Sequence, residues 1–116
     1  MVNTLGKFLR KLRIDRDELM ADMARNLGVS SAFLSQIENG KKPPKNWENN
    51  FLAKYDLSSE QEREFRDCVF AVRNSQSIDL SKYSQEDQNL LIHFAKNIHR
   101  LNDEQRNTIF HILNNF

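Results

Sequence analysis

The sequence predicts an all-α protein: five short helices over residues 1–74, then a connecting segment and a C-terminal two-helix hairpin over residues 75–116. Three observations carry that reading. Apolar residues recur at i, i+3, i+4 and i+7 along most of the chain, the period of a helix with one buried face. The breaks between these runs hold Gly, Asn, Ser and Asp, the residue types that start and stop helices. Only three glycines and two prolines occur in 116 residues, and no alternating run is long enough for a strand of more than a few residues.

Leu5, Phe8, Leu9 and Leu12 share one face, so residues 3–13 read as the first helix, with Lys7, Arg10, Lys11 and Arg13 on the other face. Met20, Met23, Ala24 and Leu27 repeat the spacing in a second. Its expected cap is Asp15 with Glu18, or Asp17. Its stop is Gly28, because glycine takes the left-handed backbone that follows a helix. Only Val29 separates Gly28 from Ser30, the N-cap of a third helix running through Leu34 and Ile37 to Asn39-Gly40. Lys41-Lys42-Pro43-Pro44 is a stiff basic loop, and Pro44 biases its predecessor away from helix. A fourth helix starts near Asn46 and buries Trp47, Phe51 and Leu52. Ser58 or Ser59 caps a fifth, with Phe65, Val69 and Val72 inward and an end at Asn74-Ser75. Residues 75–83 alternate weakly and read as a short extended segment. Ser84 with Asp87 and Asn102 with Gln105 are capping boxes. They open a sixth helix through His99 and a seventh ending near Asn115.

A chain of 13.7 kDa makes one domain, or one domain with an extension, and buries roughly 60–70% of its unfolded surface. Hydrophobic residues at 39% and charged residues at 28% exclude a disordered low-complexity chain. No apolar run approaches the roughly 18 residues of a membrane span, and the first residues show no secretory h-region. Cys68 is the only cysteine, so no intrachain disulfide forms, and a reducing, cytoplasmic setting is expected. Net charge is +1, unevenly spread: residues 1–57 carry +3 and residues 58–116 carry −2. A polyanionic partner would meet the first half.

Enzyme chemistry finds no support. His93, His99 and His111 lack the spacing that brings two imidazoles to one helix face, and one cysteine makes a zinc site an unlikely use of them. Cys68 reads as a small core residue. No glycine-rich phosphate loop and no nucleophile elbow occurs. Glu86-Asp87 and Asp103-Glu104 stand at expected helix starts, where acids complement the dipole. The expectation is a protein with no catalytic residues, no metal and no cofactor.

Helix, glycine turn and short helix is the pattern of a helix-turn-helix. Ala24 is small where the two helices would come closest, Val29 plugs the turn, and Leu34 and Ile37 bury the underside of the third helix. That leaves Ser31, Ala32, Ser35 and Gln36 outward, a small, polar, nearly uncharged face. Such a face suits a major groove, where Gln pairs with adenine and Ser with several base edges.

LRKLR (9–13), MARNLGVS (23–30) and SAFLSQIENGKKPP (31–44) give residues 5–57 a resemblance to the XRE family, the lambda-repressor/Cro-like helix-turn-helix domains. The resemblance implies a five-helix lambda-repressor-like domain whose helix 30–38 enters the major groove. It implies Ser31, Ala32, Ser35 and Gln36 as base-contacting residues and Asn39, Lys41 and Lys42 as contacts to the DNA backbone. Glu38 is implied to be structural. The family often opens its second helix with Thr-Gln, where Gln supports a phosphate contact; Leu19 and Met20 stand there, and a start one turn earlier is expected. Phe33, where many relatives carry a small polar residue, is read as packing on the neighbouring helix rather than touching thymine methyls.

In the C-terminal segment Leu91, Phe94, Ala95, Ile98 and Leu101 precede Ile109, Phe110, Ile112, Leu113 and Phe116. So much apolar area on two short helices reads as a dimerisation element, since two-fold dimers reading paired half-sites are the usual way for a small module to bind enough DNA. The expected function is a homodimeric transcriptional repressor of double-stranded operator DNA, with no membrane partner. The alternative is an antitoxin that binds a toxin protein and controls its own operon.

Overall fold

The structure, a computed structural model, describes residues 3–74 and 77–116. Among these residues are seven α-helices and no strand. The chain divides into two units, Met1–Ser77 and Ile78–Phe116.

The first unit holds α1 (Thr4–Asp15), α2 (Met20–Leu27), α3 (Ser31–Glu38), α4 (Trp47–Lys54) and α5 (Ser59–Arg73). α1 packs on α3 and α5, α2 on α3 and α4, and α4 on α5. Leu5, Leu9, Met23, Leu34, Ile37, Phe51 and Phe65 are fully buried at the centre. Phe65 joins three other aromatic rings: stacked on Phe51 at 4.4 Å, and tilted against Phe8 and Trp47, each at 5.7 Å. Such rings bury large areas and add orientation-dependent attraction, so this cluster fixes α1, α4 and α5 together. Cys68 is half-buried beside the core, and burial pushes its thiol pKa up.

The helix ends follow side-chain chemistry. Asn3 accepts from the Gly6 N–H at 2.8 Å, Ser30 from Phe33 at 3.0 Å and Ser58 from Gln61 at 3.1 Å. Of the two serines expected to cap α5, Ser58 does so, and Gln61 returns the bond to its N–H at 3.0 Å. The start of α2 differs from expectation. It begins at Met20, not a turn earlier, and neither Asp15 nor Asp17 caps it. Asp17 instead takes the left-handed backbone (φ 54°) that closes α1. Its N–H donates to the Ile14 carbonyl at 3.2 Å, and that of Glu18 to Arg13 at 2.8 Å. This double bond pattern is the one glycine usually provides; Asp is among the few residues that tolerate it. α2 is then opened by Asp22, whose carboxylate accepts from the Leu19 N–H at 2.9 Å.

Arg13 is a second correction. It is not on a solvated face: only 8% of it is exposed, and it is paired with the fully buried Glu38.

The second unit holds a 3-10 turn (Leu80–Lys82), α6 (Gln85–Asn97), a second 3-10 turn (Ile98–Arg100) and α7 (Asp103–Leu113). The expected extended segment is replaced over 80–82 by the first turn, because Asp79 accepts from both the N–H and the hydroxyl of Ser81. Ser75 and Gln76, also in that reading, lie outside the described residues. Asn102 and Gln105 form the full capping box, at 2.8 and 3.0 Å. Ser84 caps α6 through the Asp87 N–H at 3.1 Å, one half of the box expected there. Between the two helices, Arg106 donates to the Ile98 carbonyl at 2.7 Å. No described residue of this unit is buried.

Candidate nucleic-acid interface

The candidate surface is α3 with the loop that follows it, and the turn from α2 sets its angle. Gly28 has φ 70°, and the Val29 N–H reaches back to the Ala24 carbonyl at 3.0 Å. Ala24 is buried where α2 meets α3, and Val29 is half-buried against the core. α2 is held from behind: Asn50 donates to the Leu27 carbonyl at 3.2 Å, and the Tyr55 hydroxyl donates to Glu18 at 2.8 Å. Burial pushes the Tyr55 phenol up, keeping that donor protonated.

α3 turns Leu34, Ile37 and Glu38 inward. The Glu38 carboxylate accepts from both terminal nitrogens of Arg13, the second at 3.1 Å, and from Nε of Arg10 at 3.2 Å. A fork of guanidinium nitrogens on a buried carboxylate is a strong, directional tie, and it locks α3 to α1. The outward residues are then fixed. Ser31, Ala32 and Gln36 are exposed and Ser35 is half-exposed.

A model described as a helix-turn-helix domain matches residues 4–65, more than half of the chain. The chain belongs to the helix-turn-helix family. No curated protein and no solved structure matches it.

In this helix-turn-helix domain the basic loop begins at Gly40, whose φ of 117° turns the chain sharply out of α3. Lys41 and Lys42 are exposed on it. The Lys41 ammonium sits over the Phe33 ring at 4.8 Å and donates to Oε1 of the Gln36 side chain at 3.4 Å. Phe33 is half-buried against the core, the packing role read from the sequence. Asn39 folds back on its own helix, donating to the Ser35 carbonyl at 2.8 Å. The seven residues named as a site therefore fall on one helix face and the turn after it, and four of them pair with one another, Lys41 with Gln36 and Asn39 with Ser35.

Two pairs were not found by sequence reasoning. Arg13–Glu38 lies 25 residues apart, and two Arg among four basic residues give no signal of which one is buried. Arg73–Glu48 joins the end of α5 to the first turn of α4, with Arg73 Nη2 2.7 Å from Glu48 Oε1 and its Nη1 on the other oxygen. These bonds hold the Glu48 carboxyl below its ordinary range, more than burial raises it. Among the described residues no three His, Cys, Asp or Glu side chains gather as a metal site, and no helix is long and apolar enough to cross a membrane.

Proposed function

We propose that this protein is a sequence-specific transcriptional regulator of the XRE type, a cytoplasmic homodimeric repressor that binds double-stranded DNA and performs no catalysis. One observation carries the reading. A helix pinned from beneath by a buried ion pair presents a small, nearly uncharged outer face, flanked by exposed lysines. Ser31, Ala32, Ser35 and Gln36 read base edges, and Asn39, Lys41 and Lys42 hold the backbone. Bidentate pairing of Gln36 with adenine uses its side-chain oxygen and amide N–H, and a nearby phosphate gives the Lys41 charge a partner. Repression follows from occupancy of a promoter, which needs nothing more than DNA binding.

The homodimer is supported by the second unit. Leu90, Ile92, Phe94, Phe110, Ile112, Leu113 and Phe116 are all exposed there. Together they leave on the order of 800 Å² of mostly apolar surface in water, taking aromatic side chains at about 150–250 Å² and aliphatic ones somewhat lower. A standard interface takes about that much from each partner.

The test is selection of binding sites from random duplex DNA, followed by titration of variants at several salt concentrations. Two related half-sites are expected. Gln36→Ala should flatten preference at one position of each half-site, a loss of about 1–3 kcal/mol of discrimination. Lys42→Ala should weaken operator and scrambled DNA alike and lower the salt slope by about one. Failure to enrich any sequence, or retention of full preference by Gln36→Ala, would overturn the assignment.

A further inference from the structure

The basic loop is anchored at its start, where the Lys41 N–H donates to the Gln36 backbone carbonyl at 2.9 Å, and Pro43 is buried. Pro43 and Pro44 have no N–H to donate, and the backbone bonds that residues 42–46 accept outside helices are from Trp47 to the Pro44 carbonyl at 3.1 Å and from Asn50 to the Asn46 carbonyl at 3.3 Å. One side chain supplies the rest. Arg73, in the last turn of α5, donates through Nη2 to the carbonyls of Pro44 at 2.8 Å and Pro43 at 3.3 Å. The same guanidinium grips both oxygens of Glu48. Among the described residues, no other side chain donates to the backbone of this loop. Arg73 lies eight residues beyond the matched segment 4–65, so the clamp belongs to this chain's own extension of α5.

We propose that Arg73 is a positioning residue for DNA binding. With Glu48 it holds the Lys41–Pro44 loop in place, so that Lys41 and Lys42 meet phosphates without first being ordered. The proposal rests on the DNA-binding reading above. Its physical content is entropic: a clamped loop loses less freedom on binding than a free one. Guanidinium geometry is required, because one planar fork serves a carboxylate and two carbonyls at once, which a lysine ammonium does not reproduce.

The experiment is DNA titration of the full-length chain and of Arg73→Gln, Arg73→Lys and Glu48→Gln, in the natural background and with Lys41→Ala/Lys42→Ala. All three clamp variants should bind operator and scrambled DNA roughly three- to tenfold more weakly, the cost of ordering about one residue. The salt slope should stay unchanged, since no phosphate contact is lost. In the double-alanine background the same substitutions should have no further effect on affinity, because the clamp acts through those lysines. Amide exchange at Trp47, whose N–H donates to the Pro44 carbonyl that Arg73 also holds, measured without DNA, should quicken in each clamp variant.

Three results would overturn the proposal. A slope lowered by about one in Arg73→Gln, with Glu48→Gln binding as well as the natural chain or better, would make Arg73 a phosphate contact. Equal losses with and without the lysines would make the clamp a matter of domain stability. Unchanged amide exchange would remove the clamp itself. A natural chain that binds no duplex DNA would instead overturn the function, and amide exchange alone would still report on the clamp.

Discussion

Glu38 shows how one residue ties a functional surface to the core. Its carboxylate is completely buried and, among the described residues, is bonded by Arg13 and Arg10 alone. Replacing both partners of such a pair with apolar residues can be neutral, whereas removing one leaves an uncompensated buried charge. Glu38→Ala should therefore cost about 3–5 kcal/mol. Urea unfolding followed by the emission of Trp47, the only tryptophan and a buried one, measures it. A loss under about 1 kcal/mol, the range of an exposed pair, would contradict this account. Glu48 gives a second test at this scale. Its pKa is depressed in the folded state, so its contribution is complete above the ordinary value of 4.5 and is lost as pH falls through the lower folded value. The stability gap between the natural chain and Glu48→Gln should hold near neutrality and close on acidification below about pH 4.5. A gap that widens there would reverse the sign of the argument.

At the scale of elements, the chain's helix ends were legible wherever one residue type has one job. Gly28, Ser30, and Asn102 with Gln105 all act where their sequence context put them, and of the two serines offered for α5 the first is the cap. The start of α2 was not legible because Asp serves equally as an N-cap or as a left-handed C-terminal residue, and only the folded turn decides. The 3-10 turn at 80–82 was hidden for a similar reason: a local Asp79–Ser81 bond, not hydrophobic pattern, sets it. The recognition face was legible because Leu34 and Ile37 fix which side of α3 is buried. Of its supports, the structural role of Glu38 was implied by the family resemblance, but its partner Arg13 and the Arg73–Glu48 pair were not legible, since both are contacts across 25 residues. The turn itself makes a prediction. A Cβ on Gly28 would meet no atom within 4 Å, so only its φ of 70° resists substitution. Gly28→Ala should cost about 1–2 kcal/mol, the left-handed penalty without a clash, and Gly28→Asn less. Thermal unfolding of the two variants checks the order, and a larger loss for Asn would show that packing rather than backbone conformation governs this turn.

At the scale of the whole molecule, the two units are unlike in how they are stabilised. The first buries fifteen hydrophobic side chains in one cluster. The second buries none of its described residues, and at 78–116 it is below the roughly 40 residues at which domains usually fold without staples or partners. Ile109, Ile112, Leu113 and Phe116 nevertheless follow i, i+3, i+4 and i+7, and Leu90 with Phe94 makes an i, i+4 pair on α6. With Phe116 95% exposed, Leu90 70% and Leu113 57%, this is an amphipathic pattern without a core to face. A second copy supplies that core in the homodimer proposed above. Ile112→Glu/Leu113→Glu places charge in the middle of the stripe, where an unpaired charge cannot be buried. The natural chain should sediment as a dimer at micromolar concentration and the variant as a monomer, with Trp47 emission and the unfolding of the first unit unchanged. Operator affinity should fall steeply, since each half-site then binds alone, while affinity for scrambled DNA falls much less. A natural chain that sediments as a monomer without DNA would remove the dimer from this account and leave the apolar stripe to a different protein.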